Sequence, residues 1–286
     1  IWSVIAATAA AVLVGAPFGG FSVVWKSFYA PAVTSVALAA LSRFYRRRND
    51  ARLAAALEGT AQIMVFAAVG APLSYLAASL NLPLRDTPFD AFDHALGFDW
   101  MTLLGFMNAH PALQPVATVI YRAFAPQLTV TILVLGFAGH LDRLVRFVLA
   151  FMLTALIIIG ISALLPAEGA WTHYGLTAGT NMMLPDSHTS WPVFHGLRDG
   201  SYRLLIANGA EGIVTFPSLH AALGVIFAMA LWPVPVLRWI ALALNAAMLA
   251  ATPIDGSHYL GDVLAGIAIA VGCWLTARKI VSLFSA

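Results

Sequence analysis

Apolar runs of near-membrane length recur eight times along the 286 residues and constrain this chain more than any other feature. They lie near Trp2–Ala16, Phe21–Ser42, Leu57–Leu80, Pro115–Gly139, Phe147–Leu165, Ser218–Pro233, Trp239–Ala251 and Tyr259–Ala277. A helix rises 1.5 Å per residue, so about 20 mostly apolar residues cross roughly 30 Å of hydrocarbon. The first and seventh runs are short by that measure. In lipid the backbone must satisfy its own polar groups, which favours helices over open strands. Composition agrees: 60% of residues are hydrophobic and 10% charged, against about a quarter charged in water-soluble domains. The predicted fold is therefore all-α, a polytopic membrane helix bundle of about eight transmembrane helices.

Charge orients the bundle. With those spans, Arg43, Arg46, Arg47, Arg48, Arg52, Arg143, Arg146, Arg238, Arg278 and Lys279 fall on one side. Only Arg85, Arg198 and Arg203 fall on the other, with Lys26 and Arg122 inside spans. The positive-inside rule makes the first side cytoplasmic, with both termini there. The alanine-rich composition points to a bacterial inner membrane, so the other side would face the periplasm. The net charge of +2, without a basic face, argues against nucleic acid as a partner. The single cysteine, Cys273, sits in an apolar run and reads as a buried thiol.

Two long connections share the outer side. In residues 81–110, Phe89, Phe92 and Leu96 recur at helical spacing, which predicts an amphipathic helix at the interface. Residues 166–217 are rich in Gly, Pro, Thr, Asn and His, and a loop of that length commonly covers a site. Trp100, Trp171, Trp191 and Trp232 read as interfacial belts.

Two polar clusters carry the chemistry. The first is Phe216-Pro217-Ser218-Leu219-His220. Proline suits a first helical turn, Thr215 or Ser218 can cap it, and His220 would stand in the opening turn. Free N–H groups and the positive dipole end there form a phosphate cradle. The second is Asp255-Gly256-Ser257-His258-Tyr259-Leu260-Gly261-Asp262. His258 and Asp262 are four apart, so a helix would put them on one face. A carboxylate on one ring nitrogen fixes the tautomer and makes the other nitrogen more nucleophilic. One hydrophobic hairpin separates the clusters and returns the chain to the same membrane face, so the two histidines can meet. Asp255 fits either a site role or a turn with Gly256, and Gly261 and Gly266 suit close helix approach.

Pro217-Ser218-Leu219-His220 followed by His258-x-x-x-Asp262 resembles the type 2 phosphatidic acid phosphatase superfamily, from about Leu57 onward and most closely over Phe216–Gly266. The resemblance implies a phosphohistidine route without cofactor or metal. His258 would attack phosphorus, Asp262 would orient it, and His220 would serve the leaving and entering oxygens. His173, His188 and His195 match no common metal-ligand spacing. The chain departs from the phosphatases in lacking their Lys-x6-Arg-Pro motif, and the arginine six positions before the nucleophile is Thr252 here. In this it resembles the branch of inositol phosphorylceramide synthase and the sphingomyelin synthases, as does Asp93-His94-Ala95-Leu96-Gly97-Phe98-Asp99-Trp100. Arg198, Arg203 and Arg122 are then the candidate phosphate-binding cations, together with Ser218.

The expectation is two N-terminal helices over residues 1–50 and a six-helix catalytic core over 51–286. The expected activity transfers or hydrolyses a phosphoryl group on a lipid phosphate ester, a phospholipid or sphingolipid headgroup. The expected partners are that substrate and membrane lipids. The alternatives are a lipid-phosphate phosphatase acting on phosphatidic acid or polyprenyl phosphate, and a non-catalytic lipid carrier or transporter.

Overall fold

The computed structural model describes residues 1–177 and 184–284. Its helices are α1 (Trp2–Gly15), α2 (Tyr29–Arg47), α3 (Ala51–Ser79), α4 (Asp86–Ala95), α5 (Trp100–Ala109), α6 (Leu113–Arg122), α7 (Phe124–Phe137), α8 (Leu141–Leu164), α9 (Ala170–His173), α10 (Trp191–Asp199), α11 (Leu219–Leu231), α12 (Leu237–Asp255) and α13 (Leu260–Phe284). The fold is all-α apart from a parallel pair of two-residue strands, β1 (Ser22–Val23) and β2 (Leu204–Leu205).

Four helices are long and apolar enough to cross a membrane: α3, α8, α12 and α13. The pair α6–α7 makes a fifth if counted as one span. The chain is thus an integral membrane protein by its helices, but eight such spans are not found among the described residues. At 14 and 13 residues, α1 and α11 are short, and α2 ends in a run of arginines. The predicted span at Phe21–Ser42 begins later than expected, because Ser22–Val23 pairs with Leu204–Leu205 and α2 starts only at Tyr29.

α8 is the axis of the core. Over 24 residues it runs about 36 Å and packs against α3, α7, α11 and α13. Phe147, Phe151 and Ile158 meet Phe66 of α3, Leu223 and Phe227 of α11 and Trp274 of α13 in one buried cluster. Two polar side chains show how the bundle pairs some of its buried groups. Arg143 donates to the carbonyls of Ala230 and Met229, near the C-terminal end of α11 where a helix carries negative partial charge. Asn245 of α12 donates to Gln127 of α7 at 2.8 Å.

The run Pro115–Gly139 is not one straight span. It breaks by 43° between α6 and α7. Pro126 explains the position: its ring lacks an N–H and crowds the carbonyl four residues back, which belongs to Arg122. The break leaves Tyr121 and Arg122 at a helix end rather than in mid-span.

The connection 81–110 contains α4, as the apolar spacing predicts, but Phe89 does not face lipid. Its ring stacks on Phe216 at 4.1 Å. The tryptophans divide similarly. Trp100 and Trp171 are each 1% exposed and form a second core with Tyr259 and Ile254, whereas Trp232 remains 48% exposed. The belt reading therefore fails for the first two, because their rings are needed beneath the loop that carries His258. Of the connection 166–217, residues 178–183 lie outside the described residues. The rest holds α9, α10, β2 and two 3-10 turns, Asp186–Ser190 and Ala207–Gly209.

Candidate active site

Both polar clusters meet at the face bearing the two long connections. Ser218 caps α11, its Oγ accepting from the Ala221 N–H, so Pro217 lies just before the cap and not in the first turn. His220 stands two residues into the helix, where Leu219 and His220 have backbone N–H groups without intrahelical acceptors. The start of α11 lies directly on α13. The Ser218 N–H donates to the Asp262 carbonyl at 3.1 Å, and a Cβ on Gly266 would come within 2.4 Å of the Ser218 carbonyl. Gly266 thus permits the helix approach expected of it.

His258 precedes α13 instead of sharing a helical face with Asp262, yet the expected contact forms. Nδ1 lies 3.1 Å from Asp262 Oδ2, which also accepts from the Tyr259 N–H at 3.0 Å. The other carboxylate oxygen of Asp262 is buried without a partner. His258 Nε2 lies 3.3 Å from Ser218 Oγ. Burial pushes His258 down to about 4, against an opposing contact with the Thr215 backbone, so the ring is neutral at pH 7. Gly256 is the floor under this ring: a Cβ there would stand 2.2 Å from His258 Cδ2 and 2.8 Å from Nε2.

His220 and His258 line one cavity of about 290 Å³ and are close enough to interact electrostatically. The His220 ring stacks on Tyr121 at 4.0 Å and tilts against Phe124 at 5.2 Å. The break between α6 and α7 supplies both partners. Phe66, Phe151 and Ile158 make one part of the wall apolar. Glu168, Ser187, Trp191 and residues 210–215 belong to the connection 166–217, which therefore walls the cavity that both histidines line.

The three arginines separate. Arg122 donates to Asp186 Oδ1 from Nε at 2.8 Å and from Nη2 at 2.5 Å. It is one residue from the ring stacked on His220. Arg198 donates to the Leu82 carbonyl and lies over the Phe194 ring, and Arg203 reaches the Gly20 carbonyl beside the strand pair. Neither lines the cavity, nor does any other described lysine or arginine. Asp255 is fully buried at the end of α12. It accepts from Thr118 at 2.7 Å, while its second oxygen has no partner. His188 is occupied with the Pro185 carbonyl, His195 lies 3.6 Å from Glu168, and His173 packs beside Tyr259. Among the described residues no three His, Cys, Asp or Glu side chains are grouped to hold a metal ion.

Sequence reasoning missed the residues that hold the His258 loop. Asp93, 1% exposed, accepts from the Leu260 and Gly261 N–H groups at 2.6 and 2.8 Å, so its charge meets the positive end of α13. Burial raises Asp93, and those two N–H groups oppose the rise. Asp86 accepts from the Glu168 and Gly169 N–H groups and from the Tyr259 hydroxyl. Ser257 accepts from Ala170 and Trp171, and Trp100 donates to the Pro253 carbonyl at 2.8 Å. The available signal was the recurrence of three acids, Asp86, Asp90 and Asp93, on the short amphipathic helix α4.

No curated protein and no solved structure matches the chain. A family model described as the PAP2 superfamily matches residues 88–276. The match begins inside α4, later than the Leu57 boundary expected from sequence, and does not resolve a branch of the family. It spans about two thirds of the chain and takes in both histidine clusters, Asp93 and the broken span. The chain belongs to the PAP2 superfamily.

Proposed function

We propose that this protein transfers a phosphoryl group between a lipid phosphodiester and an alcohol acceptor, through a phosphohistidine formed at His258. Membership in the superfamily implies lipid-phosphate phosphatase or phosphotransferase activity, and the finer reading rests on the site. The observation that carries it is the His258–Asp262 bond, which occupies Nδ1 and leaves a neutral Nε2 beside the cavity that His220 also lines.

The chemistry follows from those positions. Nε2 of His258 forms a bond to phosphorus as the P–O bond to the leaving alcohol breaks. Asp262 balances the positive charge that develops on the ring. His220, protonated as the substrate's negative charge arrives beside it, gives its proton to the departing oxygen. In the second half, His220 takes the acceptor's proton while the acceptor oxygen bonds to phosphorus. The N–P bond then breaks and its electrons return to Nε2. The free N–H groups at the start of α11 and Ser218 Oγ hold the phosphate oxygens. Arg122, exchanging Asp186 for phosphate, supplies the cation, since Arg198 and Arg203 are engaged with backbone carbonyls elsewhere.

Among the described residues no lysine or arginine lines the cavity wall, and the one cation assigned to the phosphate, Arg122, must first leave Asp186, which favours a singly charged diester over a dianionic monoester. This sets the headgroup-transfer reading above the plain phosphatase, and the synthase-like branch above the others. We place the site at the outer leaflet, on the strength of the positive-inside asymmetry. The test is a product screen by mass spectrometry on the full chain in nanodiscs. Headgroup transfer to a ceramide or diacylglycerol is compared with release of inorganic phosphate from phosphatidic acid. Transfer that disappears in His258→Ala is the expected result. Transfer that persists in that variant, or phosphate release alone, ends the proposal.

A further inference from the structure

Glu58 is a carboxylate on the spanning helix α3 that the histidine site does not use. It stands toward the arginine-rich end of the bundle. Gly70, in the wall of the histidine cavity, lies twelve residues and about 18 Å further along the same helix. Both Glu58 oxygens are occupied. Oε1 accepts from Trp2 Nε1 and from Gln62 Nε2, each at 3.3 Å, and Oε2 accepts from Arg46. One acid on α3 thereby holds Trp2 of α1 and Arg46 of α2, two helices that both pack on α3.

A cleft opens between α1 and α2 around this contact. Trp2, Ala39, Ser42, Arg43, Arg46 and Glu58 line about 230 Å³ of it, roughly eight water volumes, which suits a glycerophosphate group. Trp2, Arg46 and Glu58 also border an adjoining hollow of about 370 Å³, walled by Leu144, Val145 and Val148 of α8. Arg43 and Arg46 are three apart on α2 and so share a face. Glu58 fixes the Arg46 guanidinium and offsets one of the two positive charges. Arg43 has no hydrogen bond or ion pair among the described residues. The cleft is left with one unmet positive charge, and a carboxylate that already holds three donors has little room for an ammonium group. Arg47 and Arg48, next along the chain, add to the same field.

We propose that this cleft binds an anionic phospholipid, with its phosphodiester between Arg43 and Arg46 and an acyl chain against Leu144, Val145 and Val148. Such a lipid bridges α1, α2, α3 and α8. The site is separate from the phosphoryl chemistry: the family match begins at residue 88, beyond all of α1, α2 and α3. The positive-inside asymmetry puts it in the leaflet opposite the histidine site. A free phosphate would leave the α8 wall bare. A zwitterionic headgroup would bring a further cation beside the arginines, at a Coulombic cost.

The test is lipid retention by native mass spectrometry on the detergent-solubilised full chain. Dioleoyl phosphatidylglycerol, dioleoyl phosphatidylcholine and glycerol 3-phosphate are the probes. Phosphatidylglycerol is expected to bind about tenfold more tightly than either of the others. Arg46→Gln also removes a partner of Glu58, so Arg43→Gln carries the test. It is expected to weaken phosphatidylglycerol about twentyfold, the loss of a charged hydrogen bond. Arg48→Gln, which removes the same charge outside the cleft and over the Phe44 ring, is expected to cost less than about fivefold. Losses of equal size in the two variants overturn the proposal, because surface charge alone would then account for the attraction. Equal binding of phosphatidylcholine overturns it as well, as does equal binding of glycerol 3-phosphate or no binding of any probe. Retention needs no turnover, so each of these results leaves the phosphohistidine reading where it stood.

Discussion

Gly256→Ala should abolish most activity while leaving the fold intact. The added Cβ would stand 2.2 Å from Cδ2 of His258, 2.8 Å from its Nε2 and 2.8 Å from the Thr252 carbonyl. An ordinary carbon contact needs about 3.5 Å, so the ring must retreat by roughly 1.3 Å. It cannot do so while keeping both Nδ1 on Asp262 and Nε2 beside Ser218. A displacement near 1 Å at a reacting centre costs on the order of 10²-fold in rate. The dihedrals of Gly256, φ −88° and ψ −7°, lie inside the right-handed helical region, so the added strain is confined to the Thr252 carbonyl and the ring. The expected result is a kcat about 10²-fold lower, with KM changed by less than about threefold and a monodisperse, folded protein of modestly lower Tm. Gly105→Ala, whose Cβ meets nothing within 4 Å, is the control and should keep full activity. If Gly256→Ala turned over within threefold of the unsubstituted chain, the ring would not need its present position, and the assignment of His258 as nucleophile would fall.

Three further outcomes test the same geometry. Because burial lowers His258 to about 4, its neutral, nucleophilic form persists down to that pH. Activity is lost as pH falls through about 4, so a kcat/KM profile with a His258-dependent acid limb near pH 6.5 would contradict the buried, neutral ring. Asp262→Asn removes the charge opposite Nδ1 and disturbs the tautomer, and should lower kcat by on the order of 10³-fold in steady-state assays. A loss below about threefold would show that the carboxylate is only structural. Asp93→Ala strips the two acceptors at the start of α13 and should destabilise the chain by about 1 kcal/mol, like other lost helix caps, lowering Tm in thermal melts. Asp93→Asn should recover part of that loss, and equal Tm for both variants would refute the capping role.

Local pattern was enough to read much of this protein. The apolar runs foretold helices near all eight places, because hydrophobic length is a property of consecutive residues. Ser218 as one of two possible caps, beside Thr215, and the contact of His258 with Asp262 were legible for the same reason, since three or four residues separate the partners. Which helices cross the membrane was less legible. Pro126 breaks one run, and a strand pair made with residues 204–205 delays the start of α2.

Tertiary structure alone decided what surrounds the histidines. Asp93 reaches the Leu260 N–H across 167 residues, and Asp86 reaches Tyr259 across 173. Trp100 and Trp171, read from sequence as membrane-interface residues, became the support under the His258 loop. Arg198 and Arg203 stand close before the first motif in sequence, but the folded chain places them outside the cavity that the histidines line, each within reach of a distant carbonyl. Capping and apolar periodicity are free energies of neighbours, so a window of sequence contains them. The burial of a charge depends on which N–H groups the folded chain brings to it, and no local window holds that information.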